Sequence, residues 1–453
     1  MSGALRNGEG SMVKKLFPIL FILLVVMAWY DIIHTGYQTP KQYDNYVQEG
    51  DSLLEEELYV KAVEQYKNAY DLKSSAELLD KILDCYQKMG DGDSLIETCL
   101  KGINIYPKFE KFYERVLQYY ATEEQEKFIE YAVKYKNSFP KNEVISDYYK
   151  QAAKITYVTE TMKEKPVILS DNTYMCYEEE YDYDKEESKT YAVVKELDGK
   201  KLFSGEYKTI RMADNGYFVQ DYDGKWTMVN EKGFVIAKSE KDTISDIVGK
   251  AAGCYVVIDE GKYKLMNSEM KFAQTAYDYI SNSSEGVYAI CKEGKWAIVP
   301  DDVITYEGEY PYEDIKINSQ GMCCINERIV VKKNGKYGII NKEGKELLGF
   351  TQEELKAYED AQFTVYAEDG KYGYLYGNGN VFIKSSFEDA LPYKNGVAAI
   401  KSNGKWGYID QYGILIVNPK YQEVTSMLSN GRALVLDEDG YWKILYIPLL
   451  KNS

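Results

Sequence analysis

A tripeptide of glycine, usually lysine, and an aromatic residue recurs seven times between residues 224 and 442, and it constrains this chain more than any other feature. The copies are Gly224-Lys225-Trp226, Gly261-Lys262-Tyr263, Gly294-Lys295-Trp296, Gly335-Lys336-Tyr337, Gly370-Lys371-Tyr372, Gly404-Lys405-Trp406 and Gly440-Tyr441-Trp442, at intervals of 37, 33, 41, 35, 34 and 36 residues. A fixed period of this length is the mark of one supersecondary unit laid down repeatedly and stacked on its copies. Each glycine follows an acid or asparagine (Asp223, Glu260, Glu293, Asn334, Asp369, Asn403, Asp439). Such pairs accept the positive φ of a two-residue hairpin turn, so a hairpin is expected at every anchor.

Around each anchor the pattern predicts three or four short strands. An apolar strand introduced by glycine, such as Val397 to Ile400, precedes the turn, and a strand such as Trp406 to Asp410 comes after it. A second turn ends in glycine (Gly233, Gly344, Gly379, Gly413), and a third strand comes next. A short motif opening on Tyr or Phe (277–280, 312–315, 387–390, 421–424) is read as closing the unit. On the strand after the anchor, residues two and three beyond the aromatic are both apolar although they point to opposite faces, so each small sheet must lie between two neighbours. Glycine directly after the aromatic (Gly338, Gly373, Gly407) is expected to admit a ring from the adjoining unit. Seven or eight units are then expected to close into a propeller-like ring, with an open β-superhelix as the alternative. Val167-Ile168-Leu169 is the segment expected to complete the last unit.

The Gly-Lys-Trp-Gly-Tyr-Ile-Asp run of residues 404–410, with Asn395-Gly396 before it and Pro419-Lys420-Tyr421 after, resembles the bacterial WG repeat. The resemblance covers roughly residues 188–447, with Tyr191 marking a divergent eighth unit whose turn would be the acidic stretch Glu178 to Glu187. It implies a repeat scaffold and brings no catalytic residue with it. Thr227, Lys264 and Ala297 stand where the family has glycine.

Residues 41–158 have apolar residues spaced three and four apart and read as amphipathic helices. Gly50, Leu53, Ala62, Tyr66 and Ala69 resemble a tetratricopeptide unit, and the break at Ser74 recurs at Pro107 and Pro140, each 33 residues on. Two degenerate units come after it, with Leu83 and Val116 in place of Gly50, and Cys99 and Ala132 in place of Tyr66.

Ahead of the helices, residues 16–33 are apolar apart from Pro18 and Asp31, with Lys14 and Lys15 before them and Trp29 and Tyr30 near their end. This predicts a signal anchor, with a signal peptide cleaved near Val26-Met27-Ala28 as the alternative: a cytoplasmic leader (1–15), a transmembrane helix (16–33), helical repeats (41–158) and a β-repeat domain (160–450), the bulk of the chain lying outside the cell membrane.

Composition narrows the function. The net charge of −17 argues against a nucleic-acid partner. With His34 the sole histidine, catalysis or metal binding by histidine has no raw material in the folded regions. Seven cysteines without a C-x-x-C pair read as small buried residues, and no cofactor or metal is expected. The expected function is a membrane-anchored binding scaffold for a protein partner, with an envelope glycan as the alternative ligand. A carboxylate hydrolase, drawing on acids such as Asp182, Asp184, Asp301 and Asp302, ranks last. The repeated aromatics are assigned to the scaffold, so a functional site should break the repeat. The breaks are residues 306–329, 353–360 and 178–184.

Overall fold

The computed structural model describes residues 25–27, 40–183, 186–239, 243–359 and 363–450. Two compact units divide the chain at residues 149 and 150. Among the described residues no helix is long and apolar enough to cross a membrane. The apolar segment 16–33 lies outside them except for residues 25–27.

In the first unit, helix α1 (residues 40–55) is succeeded by α2 (Tyr59–Leu72), α3 (Ala76–Met89), α4 (Gly92–Ile105), α5 (Glu110–Glu123) and α6 (Gln125–Ser138), and α7 (Glu143–Ala153) runs across the division. The second helices of successive pairs begin at 59, 92 and 125, which is the 33-residue period. Ala62, Tyr66 and Ala69 are buried, and so are their counterparts Leu95, Cys99 and Gly102, then Phe128, Ala132 and Tyr135. The degenerate positions trade volume: Gly50 goes with Tyr66, Leu83 with Cys99, and Val116 with Ala132. A Cβ on Gly50 would lie 2.6 Å from the Tyr66 ring, so the large ring requires the glycine.

The second unit is an eight-bladed β-propeller, made of eight small antiparallel sheets in chain order. Blades 1 to 7 occupy residues 167–205, 209–238, 244–277, 279–300, 314–352, 354–387 and 389–421. Blade 8 combines residues 423–446 with Tyr157–Met162, which pairs antiparallel with Trp442–Tyr446. The ring is therefore closed by the first strand of the domain, and not by Val167-Ile168-Leu169. Val167–Ile168 is the short edge strand of blade 1. The closing segment had to supply a full strand next to Trp442, and the five pairs from Tyr157↔Tyr446 to Met162↔Trp442 do so.

Both faces of the post-anchor strand are buried, as Met228 with Val229, Tyr374 with Leu375 and Tyr408 with Ile409 illustrate. Clusters of such residues bridge successive blades. Met162, Leu434, Trp442 and Ile444 of blade 8 pack with Tyr174, Cys176 and Val193 of blade 1 across the closure. Fully burying one side chain of this size contributes about 1.5–3 kcal/mol. Tyrosine hydroxyls add hydrogen bonds at these joints. Tyr374 and Tyr408 each donate a hydrogen bond of 2.9 Å to a carbonyl at the start of the next blade, Leu391 and Thr425 respectively. Burial drives both phenols far above their ordinary pKa, so they remain donors.

Local structure corrects three readings. The short aromatic motif does not close a unit. Its aromatic ends the fourth strand beside the anchor, as in Trp406↔Tyr421 and Tyr372↔Phe387. Its last two residues form the edge strand of the next blade, as in Ala390↔Ile400 and Val424↔Val435. Glycine after the aromatic admits backbone, not a neighbour's ring. A Cβ on Gly407 would lie 2.4 Å from the Val417 carbonyl oxygen, because the fourth strand bulges there between Tyr408↔Val417 and Trp406↔Tyr421. In blade 2, Thr227 pairs directly with Lys238, so the first irregularity is absent and only the second, between Met228 and Val229, remains. Finally, five anchors are two-residue turns with both central φ positive, for example Asn403 (51°) and Gly404 (74°). At Gly224 and Gly440 the loop is longer, with only the glycine at positive φ and the Asp221 and Asp437 carbonyls accepting its N–H.

Candidate functional site

The repeat anchors are absorbed by the scaffold. Trp226, Tyr337 and Trp442 are buried; Tyr263, Trp296, Tyr372 and Trp406 are half-buried. The Trp226 indole donates to the Ile244 carbonyl of the next blade at 3.1 Å. The anchor glycines Gly224, Gly261, Gly294, Gly335, Gly370, Gly404 and Gly440 all sit at positive φ in their turns.

The repeat breaks at blade 4, which has three strands: Tyr279–Ile280, Val287–Lys292 and Lys295–Pro300. Four residues past the anchor, other blades place Asn230, Asn267, Asn341 or Asp410, whose side-chain oxygen accepts backbone N–H groups of the second turn. Blade 4 has Pro300 there, and Val303 where Gly413 supplies positive φ in blade 7. A turn still forms, the Val303 N–H donating to the Pro300 carbonyl at 3.1 Å, but no fourth strand comes after it and the chain leaves the blade until Tyr312. Val303, Tyr306 and Tyr310 pack on the cluster between blades 3 and 4, and the Tyr306 N–H reaches the Tyr277 hydroxyl at 3.3 Å. Only Tyr312 returns, exchanging hydrogen bonds of 3.0 and 3.2 Å with Trp296. Asp301 caps Ala252 N–H at 2.7 Å and also holds Ser283 Oγ, bracing blade 4 against blade 3. Asp302, Glu307 and Glu309 are exposed.

Blade 5 carries the rest of the 306–329 insertion as an extra hairpin, in which Cys324–Ile325 pairs with Arg328–Lys333 around Asn326 and Glu327. Glu285 of blade 4 accepts both turn N–H groups, at 2.5 and 2.7 Å, and faces the Cys324 thiol, whose pKa burial pushes up to about 12. All seven cysteines are free thiols, six of them buried and Cys254 half-buried. The acidic stretch expected as a loop at 178–187 is largely strand, Thr173–Asp182 pairing with Glu187–Glu196. Asp184 lies outside the described residues.

The turns after each short edge strand form a second polar feature. Asn282 bonds to blade 3 through Lys250 N–H at 2.9 Å and to blade 5 through the Gln320 carbonyl at 2.6 Å. Lys394 of blade 7 reaches Asp171 of blade 1 at 2.5 Å, skipping blade 8, which places this end of the turns near the ring axis. Glu359, at the end of the 353–360 break, accepts Ser319 N–H at 2.6 Å, and burial raises its pKa. These contacts tie blades together. Among the described residues no group of three or more Cys, Asp or Glu is placed to hold a metal ion.

The profile of the WG containing repeat family matches residues 273–296, 372–406 and 406–442. The chain carries WG repeats. No curated protein sequence matches it. Among solved structures it is similar to BamB from Moraxella catarrhalis, with 8% identity and a TM-score of 0.42 over 64% of this chain and 100% of that one. It is also similar to Hsv2 from Kluyveromyces lactis, with 10% identity and a TM-score of 0.34 over 61% and 97% of the two chains. BBS1N in complex with ARL6DN is similar at 11% identity, with a TM-score of 0.30 over 65% and 97%. The WG match stops at Trp296 and resumes at Tyr372. The unmatched interval contains the lost strand of blade 4 and the added hairpin of blade 5.

The pattern of repeats marks the interval from Tyr306 as irregular but does not by itself reveal the cause. The signal for it is Pro300, which stands in the position of Asp410 once the anchors are set in register.

Proposed function

We propose that this WG-repeat protein is an interaction scaffold that binds without catalysis, held at the cell membrane by residues 16–33 with its helical repeats and propeller outside. The observation that carries the reading is that the repeated side chains are consumed in blade-to-blade joints, which leaves surface of individual character to places where the repeat lapses, such as the lost strand of blade 4 and the added hairpin of blade 5. Lys14 and Lys15 ahead of the apolar segment support the orientation.

Residues 40–453 used as bait on envelope extract should retain a protein that is lost when residues 301–312 are replaced by a neutral Gly/Ser linker. Retention on isolated cell wall with no protein captured would favour a glycan ligand instead. Protease added to intact cells should degrade the propeller, and full protection there would sink the orientation.

A further inference from the structure

We propose that the outer edge of strand Lys295–Pro300 in blade 4 receives an extended, basic segment of a partner protein, which adds the strand that this blade lacks. The inference rests on the scaffold reading and gives its partner a chemistry.

Every other sheet of the propeller has at least four strands, so blade 4 alone has an incomplete edge. Side-chain and backbone directions alternate along a strand, and Trp296 turns its N–H and C=O outward to Tyr312. Ile298, two residues on, faces the same way, and among the described residues its N–H and C=O have no backbone partner. Its counterpart in blade 7 is Tyr408, which pairs with Val417. The Pro300 carbonyl is already used by Val303 N–H at 3.1 Å, so the opening is centred on Ile298 and bounded by Tyr312 and Pro300. The loop that would otherwise fill it is drawn away toward blade 3 by Val303, Tyr306 and Tyr310. An unpaired edge of this kind is a template for strand addition.

Charge selects the occupant. Residues 301–314 contain six acids and no Lys or Arg. Asp302, Glu307 and Glu309 are exposed and form no ion pair among the described residues. A second copy of this chain, at −17, would bring the same sign to the contact. A segment alternating basic and apolar residues places one set against Ile298 and its neighbours and the other toward the acids.

The test uses the full chain and a fluorescein-labelled, end-blocked heptapeptide alternating Lys and Val. Two comparison peptides carry either Glu for Lys or N-methyl groups on the pairing amides. The Lys peptide should bind saturably, more weakly as salt rises, and should slow hydrogen exchange at the Ile298 amide. The triple variant D302N/E307Q/E309Q, altered only at exposed positions, should bind it about tenfold more weakly. The Glu and N-methyl peptides should not bind. Equal binding of the N-methyl peptide, or no saturable binding by about 1 mM, overturns the proposal. An envelope protein captured equally by the wild type and the triple variant, with Ile298 exchange unchanged, overturns it and leaves the scaffold reading standing. Protection of Ile298 by the Lys peptide with no envelope protein captured keeps the edge site and removes the scaffold reading.

Discussion

Blades 4 and 7 share the anchor turn and the apolar strands, yet one has three strands and the other four. Their anchor turns are alike: Glu293-Gly294 has φ of 52° and 73°, and Asn403-Gly404 has 51° and 74°. They diverge at three positions after the anchor. Blade 7 has Gly407, Asp410 and Gly413, and blade 4 has Ala297, Pro300 and Val303. Gly407 makes room for the bulged fourth strand, Asp410 gathers the N–H groups of Tyr412 and Ile414, and Gly413 takes φ of 76°. With none of these, blade 4 makes the turn from Pro300 to Val303 but adds no fourth strand after it, and the chain rejoins the sheet only at Tyr312. The hairpin thus persists where the fourth strand is lost; departures at one or two of the three positions are tolerated, as Thr227 in blade 2, Lys264 and Met270 in blade 3 and Tyr376 in blade 6 show, whereas blade 4 departs at all three.

Substitutions at matched positions should separate these two parts, here ordered by size. Gly407→Val places a Cβ against the Val417 carbonyl and should lower stability by about 2–4 kcal/mol in urea unfolding monitored by tryptophan fluorescence. Its counterpart Ala297→Gly should cost under about 1 kcal/mol, and equal costs would mean that the bulge does not explain the family glycine. Gly404→Val and Gly294→Val should each cost about 1–3 kcal/mol, and by the same amount, because the turns are alike. A clear inequality would tie the turn to the fourth strand. Pro300→Asp should change stability by less than about 1 kcal/mol, since Val303 still bars the positive φ of the second turn. A large gain would show that the proline alone prevents the strand.

Much of the ring is legible in the sequence because stacking imposes the same demand on every unit. Period, turn glycines and two-faced apolar strands all stem from that demand, as does the 33-residue helical spacing. Relations between segments far apart in sequence are not legible. Tyr157–Met162 carries no anchor motif, and its pairing with Trp442–Tyr446 depends on the ring having brought the ends together. The short motif misleads for a similar reason: Tyr421 and Val424 are three residues apart but belong to different sheets, and only hydrogen bonding divides them. The role of Gly407 is hidden because the crowding atoms belong to backbone, whose path a residue pattern does not reveal.

Ring closure is the claim on which the architecture stands, and hydrogen exchange at its two ends tests it most directly. If the ring is closed, the amides of Tyr157–Met162 that pair with Trp442–Tyr446 exchange as slowly as those of the partner strand. Deleting residues 157–162 should then loosen Arg432–Leu436 and Trp442–Tyr446, more than 250 residues away, while Thr173–Glu196 of blade 1 retains most of its protection. Free exchange at residues 157–162 in the intact chain, with 442–446 still protected, would contradict closure and describe an open stack.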